Sequence, residues 1–478
     1  MAQLEPHSIT NFSSGLLTKG AVSDSRMPLD ACREVQNFHF DEIGAAVLRK
    51  GITKLGDDLS GNILGLFEFR DSGNGTNNQI IAVDGTTAYY LSGGVWTSKR
   101  TGLTSGSKAR FSTFLDYVFM VNGTEATAVW DGGGGTFATS GNASGAPTGK
   151  FIENFRARMW IAGNSTYPDR LYFSSLPSSV TTPLITWDTS VTTGDWIDIS
   201  PSDGENITGL HRTKSHLLVF KNNHIYRVAS ISQSEPDPSI NVGTYSQESI
   251  VETKIGVLFH HPTGFFRYSD GGAEEISRPI IDIVEAISLS NYSSIAGWED
   301  GDHAYWSVGD ITINSISYTN VVVRYTISTQ VWTMYTYPTQ FRVSSPYNDG
   351  TTLFQIAGGS NGKVYKINVG ITDDSAVIPY SLTSRSFSLD GFSSTRKTIS
   401  KMVILHDRGT GGNFSYQNEE AKESDWTPIT QLQTYNTPAK GLSVKGKELK
   451  FRISGNSSGE PFSFQGLEII ESSSELII

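Results

Sequence analysis

The carboxylates Asp270, Glu274, Glu275, Asp300 and Asp302 are the side chains best placed for acid–base work, because glycoside cleavage needs two converging carboxyl groups. Each sits in or beside a glycine-containing turn, where Asp and Glu serve turn geometry and solubility. They are read as structural. The sialidase Asp-box, Ser-x-Asp-x-Gly-x-x-x-Trp, is approached by Ser200-Pro201-Ser202-Asp203-Gly204 and by Tyr268-Ser269-Asp270-Gly271-Gly272, but neither has the register or the Trp. Trp130-Asp131 and Trp187-Asp188 lack the Gly-His that precedes the Trp-Asp pair in a WD repeat, so they read as strand ends.

Metal and nucleophile chemistry finds no better support. His260 and His261 on a strand would point to opposite faces and could not share one ion. There is no His-Glu-x-x-His and no EF-hand loop. Cys32 is the one cysteine, which removes disulfide frameworks and multi-Cys zinc sites. The Gly-x-Ser-x-Gly match, Gly455-Asn456-Ser457-Ser458-Gly459, lies between two predicted strands and reads as a hairpin loop, whereas a nucleophile elbow needs a strand-to-helix turn. The four glycines at 132–135 read as a loop tip rather than a phosphate cradle. The Asn-x-Ser/Thr triplets at Asn122, Asn164 and Asn206 are expected by chance in a chain rich in these residues. Aromatic residues make up 11% of the chain and could form a glycan-binding surface, but packing between sheets is the preferred account. No catalytic residue, metal or cofactor is expected, and the chain reads as non-enzymatic.

The elements that must position these residues are set by composition. Charged residues are 18% of the 478, against about 25% in ordinary domains, and 48 Gly with abundant Ser, Thr and Asn take their place. That disfavours helices, which need Ala, Leu, Glu and Lys, and favours an all-β chain with many tight turns. Net charge is −11, from 37 basic and 48 acidic residues. It argues against tight nucleic-acid binding, which depends on Lys and Arg contacts to phosphate. The N-terminus lacks the basic and apolar regions of a signal peptide, and no apolar run approaches the ~20 residues of a membrane-spanning helix. No membrane anchor is expected.

Three regions are expected. Residues 1–58 read as an extended N-terminal docking segment with a hairpin: Phe38 and Phe40 alternate, a turn follows at Glu42-Ile43-Gly44, and extended chain resumes at Ala46. The stretch 30–37 reads as one or two helical turns. Residues 59–380 form a series of short strands ending in turn chemistry, such as Val83-Asp84-Gly85 and Val121-Asn122-Gly123. A weak repeat underlies the series. Residues 88–97 (AYYLSGGVWT) and 324–333 (RYTISTQVWT) share a strand, a polar turn and Val-Trp-Thr, with related fragments at 127, 225, 265 and 363. Such spacing fits a β-propeller-like body of six or seven blades, whose units bury their apolar faces only by stacking. Residues 381–478 carry more widely spaced strands and suit a C-terminal β-sandwich domain. Residues 278–287 are the one plausible short helix.

Two blocks of sequence carry a family resemblance. Phe12-Ser13-Ser14-Gly15-Leu16, then Asp24-Ser25-Arg26-Met27-Pro28, then Cys32 to Asn37, then Gly44 through Arg49-Lys50-Gly51, resemble the tail hub or nozzle proteins of short-tailed bacteriophages. The closing Phe451-Arg452-Ile453-Ser454-Gly455 and Phe464-Gln465-Gly466-Leu467 also resemble the final strands of phage tail proteins. Arg49-Lys50-Gly51 stands where members more often show Arg-Pro-Gly.

The resemblance implies a structural virion protein with no enzymatic role. It would form a homo-oligomeric ring, typically of six copies, around the DNA exit channel below the portal–adaptor assembly. Partners would be the portal adaptor protein and a distal needle, plug or fibre, with genomic DNA passing through the lumen without sequence-specific binding. Phe12, Leu16, Arg26, Asn37, Phe38 and Arg49 would dock the adaptor or neighbouring subunits. The protein would be assembled in the host cytoplasm and reside in the tail. A propeller receptor-binding adhesin and a propeller glycosidase or sialidase are the alternatives.

Overall fold

The computed structural model describes residues 2–18, 27–40, 44–75, 78–179, 184–231, 233–236, 241–269, 272–389, 394–408, 411–421, 425–457 and 461–476. The chain is a β-propeller fused to a β-sandwich. Around the propeller axis the inner strands are Ile63–Phe69, Arg110–Phe114, Phe151–Phe155, Gly209–Arg212, Val251–Thr253, Ala296–Glu299 and Phe341–Asn348. Six of these belong to free-standing sheets of three or four strands, called blades I to V and VII in chain order. The remaining inner strand, Ala296–Glu299, heads a four-stranded leaf, sector VI, that continues into a ten-stranded sheet shared with the sandwich.

Stacking supplies the core. A short antiparallel sheet cannot bury either apolar face alone, so each must press on its neighbours. Separate apolar clusters fill the successive interfaces, among them Phe69 with Trp130, Phe151 with Leu217, and Trp298 with Tyr365. The ring closes where Ile63 and Leu66 of blade I meet Val343 and Ile356 of blade VII. Gly358 is required there, since a Cβ would lie 2.4 Å from Ile63 Cγ2. Blade VII is completed by Ile52–Lys54, from far earlier in the chain, which pairs antiparallel with Val364–Ile367.

The repeat read from sequence falls on one structural position. The fragments at 88, 127, 225, 265, 324 and 363 all lie on the third strand of their sheet. In the two full copies the Trp sits across from a residue of that strand, Trp96 opposite Leu91 and Trp332 opposite Tyr325. Both tryptophans are buried.

The sandwich corrects the expected N-terminal boundary. Its first sheet runs Tyr435–Gly446, Thr395–Asp407, Ser463–Leu476, Ala46–Leu48, Phe38–His39, with Ala2–Leu4 and His7–Ile9 also paired to Ser463–Leu476. The second is the far half of the ten-stranded sheet: Ala31–Gln36, Pro379–Ser384, Leu449–Asn456, Asn413–Asn418, Thr427–Gln431. Phe12, Leu382, Ile404, Phe414, Phe451 and Phe464 fill the space between them. Residues 1–58 are therefore no separate docking arm. Their described parts up to Leu48 are strands and packing of the sandwich, and Ile52–Lys54 belongs to the propeller.

The expected hairpin is present, with Phe38 across from Leu48 and Gly44 at φ +81°; Glu42 and Ile43 lie outside the described residues. The helical reading of 30–37 is overturned. Ala31–Gln36 is a strand paired on one side with Pro379–Ser384 and touching Val331–Thr336 on the other at Gln36–Met334. Sheet partners on both edges outweigh the local preference of so short a segment. Residues 278–287 do form the expected helix, a 3-10 turn Arg278–Ile280 leading into Ile281–Ala286.

Closure by a distant strand makes Ile52, 1% exposed, a test of unity. Ile52→Ala is expected to lower the unfolding free energy by about 2–5 kcal/mol, read as a lower urea midpoint of a transition followed by both far-UV circular dichroism and tryptophan emission.

Candidate functional site

The residues expected to dock partners face inward. Phe12 packs on Phe464 at 5.3 Å, and Phe38 sits against Tyr380 at 5.5 Å and Phe462 at 5.7 Å. Leu16 is 2% exposed, and Arg26 lies outside the described residues. As apolar side chains inside a packed core they gain more from burial in their own chain than an exposed docking residue could. The docking assignment of Phe12, Leu16, Asn37, Phe38 and Arg49 is thus replaced by an internal role.

Asn37 and Arg49 build the joint between the two domains. The Arg49 guanidinium donates from Nη1 and Nη2 to Asp373 Oδ1 and Oδ2 at 2.8 and 2.5 Å, from Nη2 to the Thr336 carbonyl at 2.6 Å, and from Nε to Asn37 Oδ1 at 2.8 Å. Its carbon lies 4.0 Å from the Tyr337 ring centroid. Asn37 in turn donates to Thr336 Oγ1 and to the Pro379 carbonyl, and accepts from the Thr336 amide. Burial disfavours the Arg49 charge, but Tyr337 and Asp373 outweigh it and push its pKa above the ordinary value.

Beside this joint lies a groove with two chambers. The larger, about 560 Å³, is walled by the N-terminal strand (Glu34), by the tip of the hairpin His303–Ile313/Ile316–Thr326, and by the sandwich (Trp426, Arg452). The smaller, about 350 Å³, shares Glu34, Ile316, Tyr318 and Arg452 with it. That hairpin outreaches its neighbours, since its flanking strands end at Ala296, across from Ser307, and at Thr336, across from Val321, leaving 310–320 as an overhanging arm. Its Asn314-Ser315 turn has positive φ at both residues, as a tight two-residue hairpin requires. Glu34 fixes the partition. Its Oε1 accepts from Tyr318 at 2.9 Å and Arg452 at 3.1 Å, and its Oε2 accepts from Thr383 at 2.8 Å.

At the axis of the propeller the N-terminal ends of the inner strands converge on Glu248, in the 3-10 turn Gln247–Ser249. Lys108 Nζ and Arg110 Nε each donate to it at 2.7 Å. Lys108 also reaches the Ser293 carbonyl, Arg110 the Lys150 carbonyl, and Gln247 both backbone groups of Leu210. This turn thus links blades II and IV at that end. Burial alone would raise the Glu248 pKa, but Arg110 and Lys108 hold it down at about 2.

The described carboxylates weighed for catalysis are each tied to partners of their own. Glu274 and Glu275 lie on the outer strand Gly272–Glu275 of blade V, paired with Arg267 and Arg278. Asp300 bonds His303 and Tyr305, Asp302 bonds Lys254 and Ser328, and Asp270 lies outside the described residues. Asp203 of the Asp-box-like run is tied to the buried Lys221. His260 and His261 do face opposite ways. His260 packs on Phe265 and Tyr292, while His261 bonds Thr263 and Asn223. Among the described residues no group of three or more His, Cys, Asp or Glu could hold a metal ion. No shared site was expected for the groove residues Glu34, Tyr318, Trp426 and Arg452, which are scattered over more than 400 positions. The long β-rich run through 303–326 was the one available signal.

Two substitutions test these clusters by chemical denaturation. Asp373→Ala leaves Arg49 buried without its counter-charge and is expected to cost about 3–5 kcal/mol at pH 7. Glu248→Gln leaves two part-buried cations without their counter-charge, at a smaller cost of about 1.5–3 kcal/mol. Because folding depresses the Glu248 pKa, its stabilisation is complete above the ordinary 4.5 and is lost as pH falls towards 2, so the gap between wild type and variant should shrink over that window.

No family model and no curated protein sequence matches the chain. Solved structures align with it at low identity. The computationally designed Ika8 protein matches at 10% identity and TM-score 0.39, over 67% of this chain and 100% of its own. YCF48 bound to D1 peptide matches at 11% and 0.40, over 70% and 98%. BBS1N in complex with ARL6DN matches at 9% and 0.41, over 68% and 99%. These are likenesses of fold alone, and the fold of this chain is a β-propeller carrying additional sheets.

Proposed function

We propose that the chain is a structural tail protein of a short-tailed phage, a hub or nozzle subunit. The observation that carries this reading is where the resembling residues lie. The described residues of the blocks 12–52 and 449–470, far apart in sequence, interlock in one sandwich up to Leu48 and are joined to the propeller by a continuous sheet and the Arg49 cross-link. Such a subunit is a stiff tile, suited to a closed ring in which heterologous faces repeat. Copies, six in the typical member, would surround the DNA exit channel under the portal adaptor and hold a needle, plug or fibre at the distal end.

The turn Gln247–Ser249 bridges blades at one end of the propeller, and on this reading DNA passes between copies and not through a propeller. A net charge of −11 per copy, multiplied around the ring, favours passage of phosphate without adhesion. The chain would act without enzymatic turnover, within the virion tail.

Native mass spectrometry and negative-stain imaging of the purified chain test the reading. The expected result is a cyclic assembly near six subunit masses with a central opening. A chain that stays monomeric at every concentration and hydrolyses glycans would overturn it.

A further inference from the structure

The groove between arm and sandwich has the size and lining of a ligand site. Its larger chamber, about 560 Å³, falls within the ~300–1,000 Å³ of small-molecule sites, which favour domain interfaces. Three basic side chains, Arg33, Lys450 and Arg452, and three acidic ones, Glu34, Glu419 and Glu448, line it. This balance gives no net attraction for an anion or a cation. The polar groups are also pre-set. Glu34 is held by Tyr318, Thr383 and Arg452, and Glu419 Oε2 accepts from the amides of Lys447 and Glu448. A ligand would meet oriented donors and acceptors without reorganising them.

The remaining feature is an aromatic surface. Trp426 is half-buried, with the Arg452 guanidinium 5.4 Å from its ring centroid. An indole steadied by a neighbouring cation, in a chamber of balanced charge and many hydrogen-bonding groups, matches a ligand with both a flat C–H face and a rim of hydroxyls. A lipid tail would leave the groove's polar groups unpaired, and a phosphate ester would meet as many carboxylates as cations.

We infer that this groove binds a short neutral oligosaccharide, one ring stacking on Trp426 and its hydroxyls bridging the groups around Glu34 and Glu419. This does not rest on the tail reading. A ring-forming protein can lack the site, and a monomer can have it.

Isothermal titration and saturation-transfer NMR on the full chain would use maltotriose, cellotriose and tri-N-acetylchitotriose. A sulfated heparin tetrasaccharide and a mixed-sequence hexapeptide serve as probes of other classes. Saturable binding of at least one neutral trisaccharide is expected, weakened about tenfold or more in Trp426→Ala, the equivalent of about 1.4 kcal/mol, and restored in part by Trp426→Phe. Ile316→Trp, at an exposed position on the arm, should block the groove and abolish binding even if the first variant folds poorly. Trp187→Ala, a half-buried tryptophan of the propeller, should leave binding unchanged. Failure of all three trisaccharides to bind, equal binding by Trp426→Ala and Ile316→Trp, or binding of only the sulfated or peptide probe would overturn the inference.

Discussion

A single buried guanidinium ties its own hairpin to two stretches of chain 287 and 324 residues further on. Arg49 lies between the last sandwich strand of the N-terminal region and the strand that closes blade VII. It reaches Asp373 on the way out of the propeller, the Thr336 carbonyl at the end of sector VI, and Asn37 beside the shared sheet. A lone buried charge would be severely penalised, and a bidentate carboxylate with a fully satisfied donor set is the arrangement that offsets it. Because its five N–H groups form a rigid fork, the residue specifies directions as well as charge. The propeller and the sandwich therefore meet in one register, and the overhanging arm and groove are placed by that meeting.

The propeller and sandwich also share hydrogen-bonded backbone. Sector VI passes into the sandwich through Ala31–Gln36, so the same sheet is a propeller leaf at one end and a sandwich wall at the other. An apolar core runs on both sides of that passage, from Phe265 and Trp306 to Phe451 and Phe464. Rigid attachment of this kind suits a building unit whose flanks are joined to others, the role proposed for it. The same attachment pre-organises a groove whose walls come from both bodies.

Much of the architecture was legible in the sequence. The shortage of charge and wealth of Gly, Asn and Ser pointed to an all-β chain. The fragments at 88, 127, 225, 265, 324 and 363 marked third strands, each of which carries an aromatic side chain such as Tyr90, Trp130, Tyr226 or Tyr365. The opposite facing of His260 and His261 followed from the two-residue period of a strand. The role of the N-terminal region was misread. Asn37, Arg49 and Phe38 look like surface recognition residues when their partners are unknown, and those partners lie about 300 residues or more downstream at Thr336, Asp373 and Tyr380.

By itself the sequence determined the strand-and-turn composition, the repeated aromatic position and the absence of long helices, since these depend on near neighbours and short periods. Only the tertiary structure decided that the described residues up to Leu48 complete the sandwich, that Ile52–Lys54 closes the propeller, and that Glu34, Tyr318, Trp426 and Arg452 share a groove. Pairing across such distances is selected by which edges and apolar faces remain uncovered once the sheets have formed, and no local pattern of residues encodes that.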